Sequence, residues 1–461
     1  MSRHPTDVLD KRAVLRAMVA LYPWLDNYLE EPLDKYAKRL FRPVLATGSD
    51  IREAALEKLL RCLNVSAIKA GHTSRSAAAI CDEFETHRVL QTGPHLMLIL
   101  DPEAYYTHAF SLLGLRENGV ATYVSYAVST VKLEERARKG PGWLTITGRP
   151  VSLFGLSRNQ MVPHSLLSRF DDLSFPSGLL NKEDRRNSTA RDVLPRETFE
   201  LPSQALKAAN RALWPKIFGQ RFSFLQIDDE DIADLCIEHL RDARSWLSTM
   251  LFGDGRLAGA LLLEIDALEG GPWHGLLTRS TDYFWHYHDN KRLPLRLVDG
   301  RLVDPSTGMA AMRFSADAIA DALAKRTLIP NLFLMFIMTA ILPGVRVLGG
   351  SRHPLYYPLM RYVLCRALRG TESGEVLQRQ LAADDLPCAW GHRVIEGREL
   401  RLDELLDDDH SWLSSLWADR QPLSNVSGGM MSFTTDKRWG ELSSQIESKM
   451  IVRSDPQWAY A

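Results

Sequence analysis

Cysteine, long apolar runs and net charge are all scarce in this sequence. The five cysteines, Cys62, Cys81, Cys236, Cys365 and Cys388, are odd in number and show no CxxC spacing. That excludes a disulfide framework and a zinc ribbon and fits reduced thiols in a cytoplasmic protein. No stretch reaches the roughly 20 apolar residues of a spanning helix, and the start, Met-Ser-Arg-His-Pro-Thr-Asp, has no apolar signal region. With 56 Lys plus Arg against 57 Asp plus Glu, there is no overall field to attract nucleic acid or an anionic membrane, and neither is expected as a partner. Also missing are a Gly-x-Ser-x-Gly elbow, a His-Glu-x-x-His pair, a Walker loop and a Gly-x-Gly-x-x-Gly fingerprint. Hydrolase, zinc-protease and ordinary dehydrogenase chemistry lose their usual signatures with them.

What is present is a chain long enough, at 461 residues and 45% hydrophobic, for two or three core units. The pattern predicts an α/β fold, a Rossmann-like, mostly parallel sheet with a helical N-terminal region and additional helices. Residues 1–64 read as the helical region. Residues 65–170 read as the first part of the α/β core, with a strand over Val65–His72. A polar loop or lid covers 171–202, centred on Asn181 to Thr189. The second part of the core runs over 203–427, with a strand at Leu257–Ile265 and a tight hairpin around Asp299-Gly300. A tail without sustained apolar period occupies 428–461.

Three strand-end segments carry the candidate chemistry. In the first, Val89-Leu90 leads into Gln91-Thr92-Gly93-Pro94-His95, where Thr92 and Gly93 offer a hydroxyl and free backbone N–H groups to an anion or a nucleotide phosphate. In the second, the buried run after Pro330-Asn331 ends at Leu342-Pro343 and a short β-type run enters Gly349-Gly350-Ser351-Arg352, followed by a helix from Pro354. This is the order in which an α/β fold presents a binding loop at the carboxyl end of a strand, and Arg352 suits a carboxylate or phosphate. In the third, Asp282, Phe284, His286 and His288 would share one face of a strand. Asp282 then becomes a substrate contact, and His286 with His288 offers either a metal pair or an acid/base group. His95 and His286 are the candidate proton-transfer residues. Asp407-Asp408-Asp409 reads as a solvated helical run, and no metal ligand set is assigned.

The order of a Thr-Gly loop, Pro330-Asn331, an apolar segment closed by Leu342-Pro343, a small strand and Gly349-Gly350 resembles the cysteine-adding enzymes of bacillithiol biosynthesis. The likeness extends over about two thirds of the chain in element order. It implies a Rossmann-like core related to nucleotidyltransferases and addition of an amino-acid-like substrate; the cofactor stays unassigned, with ATP or another nucleotide compatible with the strand-end loops. The sequence departs from that family at Pro94-His95-Leu96-Met97 and at Ser351-Arg352-His353, which points to a divergent relative in another small-molecule pathway. The expectation is a ligase or group-transfer enzyme that joins an amine or thiol to a carboxyl or carbonyl compound. Its substrate is small and anionic or amino-acid-like, and a homo-oligomer is compatible with it. The alternatives are a metal-dependent enzyme using the His-x-His site and a noncatalytic subunit that binds a partner protein.

Overall fold

A computed structural model describes residues 10–44, 46, 48–146, 149–177, 179, 193–370, 374–384, 394–395, 405, 411–418, 421–426 and 436–451. The centre of the 171–202 segment, Cys388 and Asp407 to Asp409 lie outside the described residues.

Four short strands form the parallel sheet that organises the chain: β1 (Val89–Thr92), β2 (Thr122–Tyr126), β3 (Ser223–Ile227) and β4 (Arg346–Leu348). Their spatial order is β4-β1-β2-β3, all parallel. Every residue of β1, β2 and β4 is buried, as a sheet covered by helices requires; β3, at an edge, is only partly so. The chain steps from β1 outward through β2 to β3 and then returns to lay β4 against the other side of β1. The direction of growth reverses between β1 and β4, and this reversal opens a crevice at the carboxyl ends of those two strands.

Helix α1 (Pro102–Glu117) connects β1 to β2. It starts at Asp101, whose carboxylate accepts the N–H of Glu103, with Pro102 in the first turn. Helix α2 (Pro202–Ile217) precedes β3, and α3 (Asp229–Arg241) follows it. Tyr123 and Phe224, register partners on β2 and β3, stack on Trp214 of α2 with ring centroids 5.6 and 3.9 Å away. That aromatic wedge buries the sheet against α1 and α2. Helix α4 (His353–Ala367) leaves β4 through the Gly349 to Arg352 loop.

The N-terminal region is helical as expected: Lys11–Leu21, Leu33–Leu40 and Asp50–Lys69. It is part of the main body. Arg52, buried, donates to both carboxylate oxygens of Asp384 at 2.9 and 2.7 Å, and Arg346 of β4 donates to the carbonyls of Leu40 and Arg42.

Several expectations change. The sheet is parallel but small: among the described residues, the other eight strands belong to three separate antiparallel sheets of three, three and two strands. Val65 to His72 forms no strand, because the helix that begins at Asp50 runs on to Lys69. Leu257 to Ile265 is helical, inside Arg256–Glu269. Its Leu and Ala residues are strong helix formers, and only Ile265 is β-branched. The 428–461 tail contains a helix, Lys437–Glu447, capped by Asp436 and seated by the buried Trp439 and Leu442. The hairpin is as read: Asp299 and Gly300 have φ of 46° and 69° between Arg296–Val298 and Arg301–Val303. Among the described residues no helix is long and apolar enough to cross a membrane.

Candidate functional site

The carboxyl ends of β1 and β4 enclose a crevice of about 370 Å³, lined by Thr92, Gly93, His95, Gly350, Ser351 and Arg352 among others. The first two candidate segments, hundreds of residues apart in the chain, therefore meet. Each lip has a local cause. Gly93 sits at φ 127°, a conformation that disfavours any side chain, and its N–H donates to the Tyr126 carbonyl. A Cβ on Gly349 would stand 2.5 Å from the His353 ring, so this glycine serves the packing of α4's first residue. Gly350 and Ser351 are the part of the loop that faces the crevice. Thr92 donates its hydroxyl to the Leu348 carbonyl at 3.0 Å and Gln91 donates to the same oxygen at 3.1 Å, which ties the two lips together. The Thr92 oxygen keeps only acceptor capacity for a ligand.

The wall opposite is apolar. Asn331 caps the helix Leu332–Phe336 by accepting the Leu334 N–H, which fixes Leu332 and Phe336 at the crevice. Phe336 packs on His353, Tyr356 and Tyr357 at 5.2 to 6.1 Å between ring centroids. Val128 completes this side.

His95 Nδ1 lies 2.6 Å from Glu135 Oε1, and both side chains are partly exposed. Burial in the crevice draws the imidazole pKa down, but the Glu135 hydrogen bond and the charges of Glu135, Glu103 and Asp229 outweigh it and hold His95 above its ordinary value. Glu103 also lines the crevice. Tyr126 belongs to the floor, and its hydroxyl donates to Asp229 at 2.6 Å. Asp229 also accepts the backbone N–H groups of Ser129 and Thr130. It is a buried tie for the loop after β2 and takes no part in the open surface. A histidine oriented by a carboxylate beside a largely apolar hollow can exchange a proton with a bound ligand through Nε2.

Arg352 is placed at the lip as expected, but it is engaged. Its Nε and Nη2 donate to Asp436 Oδ2 and Oδ1 at 2.5 and 2.8 Å. This bidentate pair holds the guanidinium pKa above its ordinary value.

The third segment lies elsewhere. His286 sits on the strand Phe284–His288 of an antiparallel sheet, paired with Leu328 and Leu293, and does not line the crevice. Asp282 does not share its face, because Tyr283 has φ 61° and breaks the alternation. Asp282 is fully buried instead, clamped by Arg279 Nε and Nη2 at 2.9 and 2.7 Å and by the Leu297 N–H. His286 and His288 stack at 5.9 Å. Among the described residues no three His, Cys, Asp or Glu side chains form a metal-binding group.

A larger cleft, about 530 Å³, runs beside β3 and is lined by Lys69, Lys207, Arg211, Asp231, Asp234 and Arg326 among others. Size favours it, chemistry does not. Its charges largely answer one another: Lys207 donates to Asp228 and Asp231 at 2.7 and 3.0 Å, and Arg326 and Lys69 both hold Asp234. It also lies away from the reversal of strand order.

Glu103, Glu135, Asp436 and Trp439 are the residues that sequence reasoning missed. Asp436 had a signal, a cap residue before Trp439, Leu442 and Ile446 at helical spacing; Glu135 had none, since its partner lies 40 residues away. The chain matches no model of a known protein family and is similar to no curated protein.

Proposed function

We propose that the chain is a small-molecule enzyme of ligase or group-transfer type, with a Rossmann-like core, whose substrates meet in the crevice between β1 and β4. The observation that carries this reading is the convergence of the Thr92 to His95 and Gly350 to Arg352 loops around a His95–Glu135 pair, at the reversal of strand order. A hollow of about 370 Å³ accommodates a metabolite-sized ligand. Glu103 suits the amine of an amino-acid-like substrate, and the apolar wall of Val128, Leu332 and Phe336 suits its carbon skeleton. With Nδ1 turned to Glu135, Nε2 is the atom that gives a proton to a carbonyl oxygen or leaving group as the amine or thiol attacks, and takes one back afterwards. The resemblance in element order to the cysteine-adding enzymes agrees with this reaction class.

Binding to the folded state raises the melting temperature, so the test is a thermal-shift panel of amino acids, amines, thiols and nucleotides. The expected result is a shift with an amine-bearing ligand that His95→Ala or Glu135→Gln reduces. A shift that these variants leave untouched, while Arg211→Ala removes it, would move the site to the cleft beside β3.

A further inference from the structure

A carboxylate stands behind the lip of the crevice. Asp436 grips the Nε/Nη2 edge of Arg352 bidentately, the arrangement a substrate carboxylate or phosphate would otherwise take. It is not a loosely placed side chain. Asp436 is only 9% exposed, its Oδ1 accepts the Arg438 N–H at 3.1 Å and its carbonyl accepts the Trp439 N–H at 3.0 Å, so it is the N-cap of the helix Lys437–Glu447. The fully buried Trp439 adds a second tie by donating Nε1 to the Ser351 carbonyl at 2.8 Å. The lip of the crevice is thus pinned at two adjacent residues, and its one arginine is neutralised by the same helix. Of the acids at this end of the sheet, Glu103 lines the hollow itself, while Glu135 and Asp436 stand behind the two cationic lining residues, on His95 and on Arg352.

We infer that Asp436 is a specificity-determining residue that sets the charge selectivity of the crevice: by occupying Arg352 it turns away phosphate-bearing ligands and leaves a site for amine-bearing ones. This rests on the crevice being the ligand site. Free, Arg352 would join His95 and the first turn of α4 as a third source of positive potential at the lip. Paired, it offers an entering anion only a guanidinium whose charge is already compensated, and a second negative group beside it.

The experiment compares inorganic pyrophosphate binding by calorimetry to the full chain, to Asp436→Asn, and to Asp436→Asn with Arg352→Gln. Asparagine caps a helix as well as aspartate does, so the first variant removes the charge and keeps the cap. Asp436→Ser, another good cap, repeats the measurement independently. The expected result is pyrophosphate binding at least tenfold tighter in either single variant than in the unaltered chain, with the gain gone in the double variant. Equal binding by the unaltered chain, or a gain that survives Arg352→Gln, overturns the inference. So does an absence of binding in all of them; if an amine ligand still shifts the melting temperature in a His95-dependent way, the crevice stands as the site and only the role of Asp436 falls.

Discussion

The crevice at β1 and β4 and the cleft beside β3 are both lined by ionisable side chains, yet they use charge in opposite ways. In the cleft, charge holds the fold together. Asp228 and Asp231 bracket Lys207, Asp231 also accepts the Ser66 hydroxyl, and Asp228 and Asp231 form the capping box of α3. Burial opposes ionisation of both acids; Lys207 and Ser66 outweigh it at Asp231, which is held below the usual carboxylate range, while burial prevails at Asp228, which is held above it. At the crevice, Arg352 with Asp436 fastens the helix Lys437–Glu447 to the lip, whereas His95 with Glu135 is partly exposed and joins two residues outside the helices and strands. The cleft is larger than the crevice, but the partly exposed His95–Glu135 pair lies at the crevice.

The contrast is easiest to break with Lys207→Met. Removing the cation leaves two buried carboxylates without their partner, and a loss of about 3–5 kcal/mol is expected, read from urea unfolding at neutral pH. A loss below about 1 kcal/mol would mean that the cleft's charges are not structural after all. His95→Ala should do the reverse, changing unfolding by under about 0.5 kcal/mol. Turnover of an amine-bearing substrate should fall by about 10²–10⁴-fold, and undiminished turnover would remove His95 from the mechanism. Tyr126→Phe lies between the two. It deletes one hydrogen bond to the buried Asp229, whose backbone partners remain, so about 1–2 kcal/mol of stability goes, measured in the same unfolding assay.

The smallest effect concerns pH. His95 binds its proton more tightly folded than unfolded. The pair with Glu135 therefore supports the fold below about pH 6.5, and that support fades as pH rises through the folded-state value. Glu135→Gln should lower the midpoint of the His95 ring in an NMR titration; an unchanged midpoint would show that Glu135 does not govern it. Solvent screening keeps the accompanying stability change slight.

How much of this was written locally follows from which contacts are local. Thr92-Gly93 and Gly350-Ser351 were readable because a β-type run ending in glycine marks a strand end whatever the rest of the chain does. The strand misread at Leu257 to Ile265 shows the limit of a short apolar run, which periodicity alone does not assign to helix or strand. The face shared by Asp282 and His286 failed on a single residue, since one positive φ at Tyr283 reverses everything before it. The pairings that complete the site, His95 with Glu135 and Arg352 with Asp436, carry no sequence signature at all. They are products of packing between segments 40 and 84 residues apart.

The tie between Gln91 and the Leu348 carbonyl joins residues 257 apart. Closing a loop of that length costs more chain entropy than the sequence-near contacts of the helices and of β1 with β2. On the ribosome, the β1 lip emerges long before its counterpart, and most of the chain must be made before the two meet. A fragment ending before β4 lacks the Gly350 to Arg352 lip, and with it one side of the crevice.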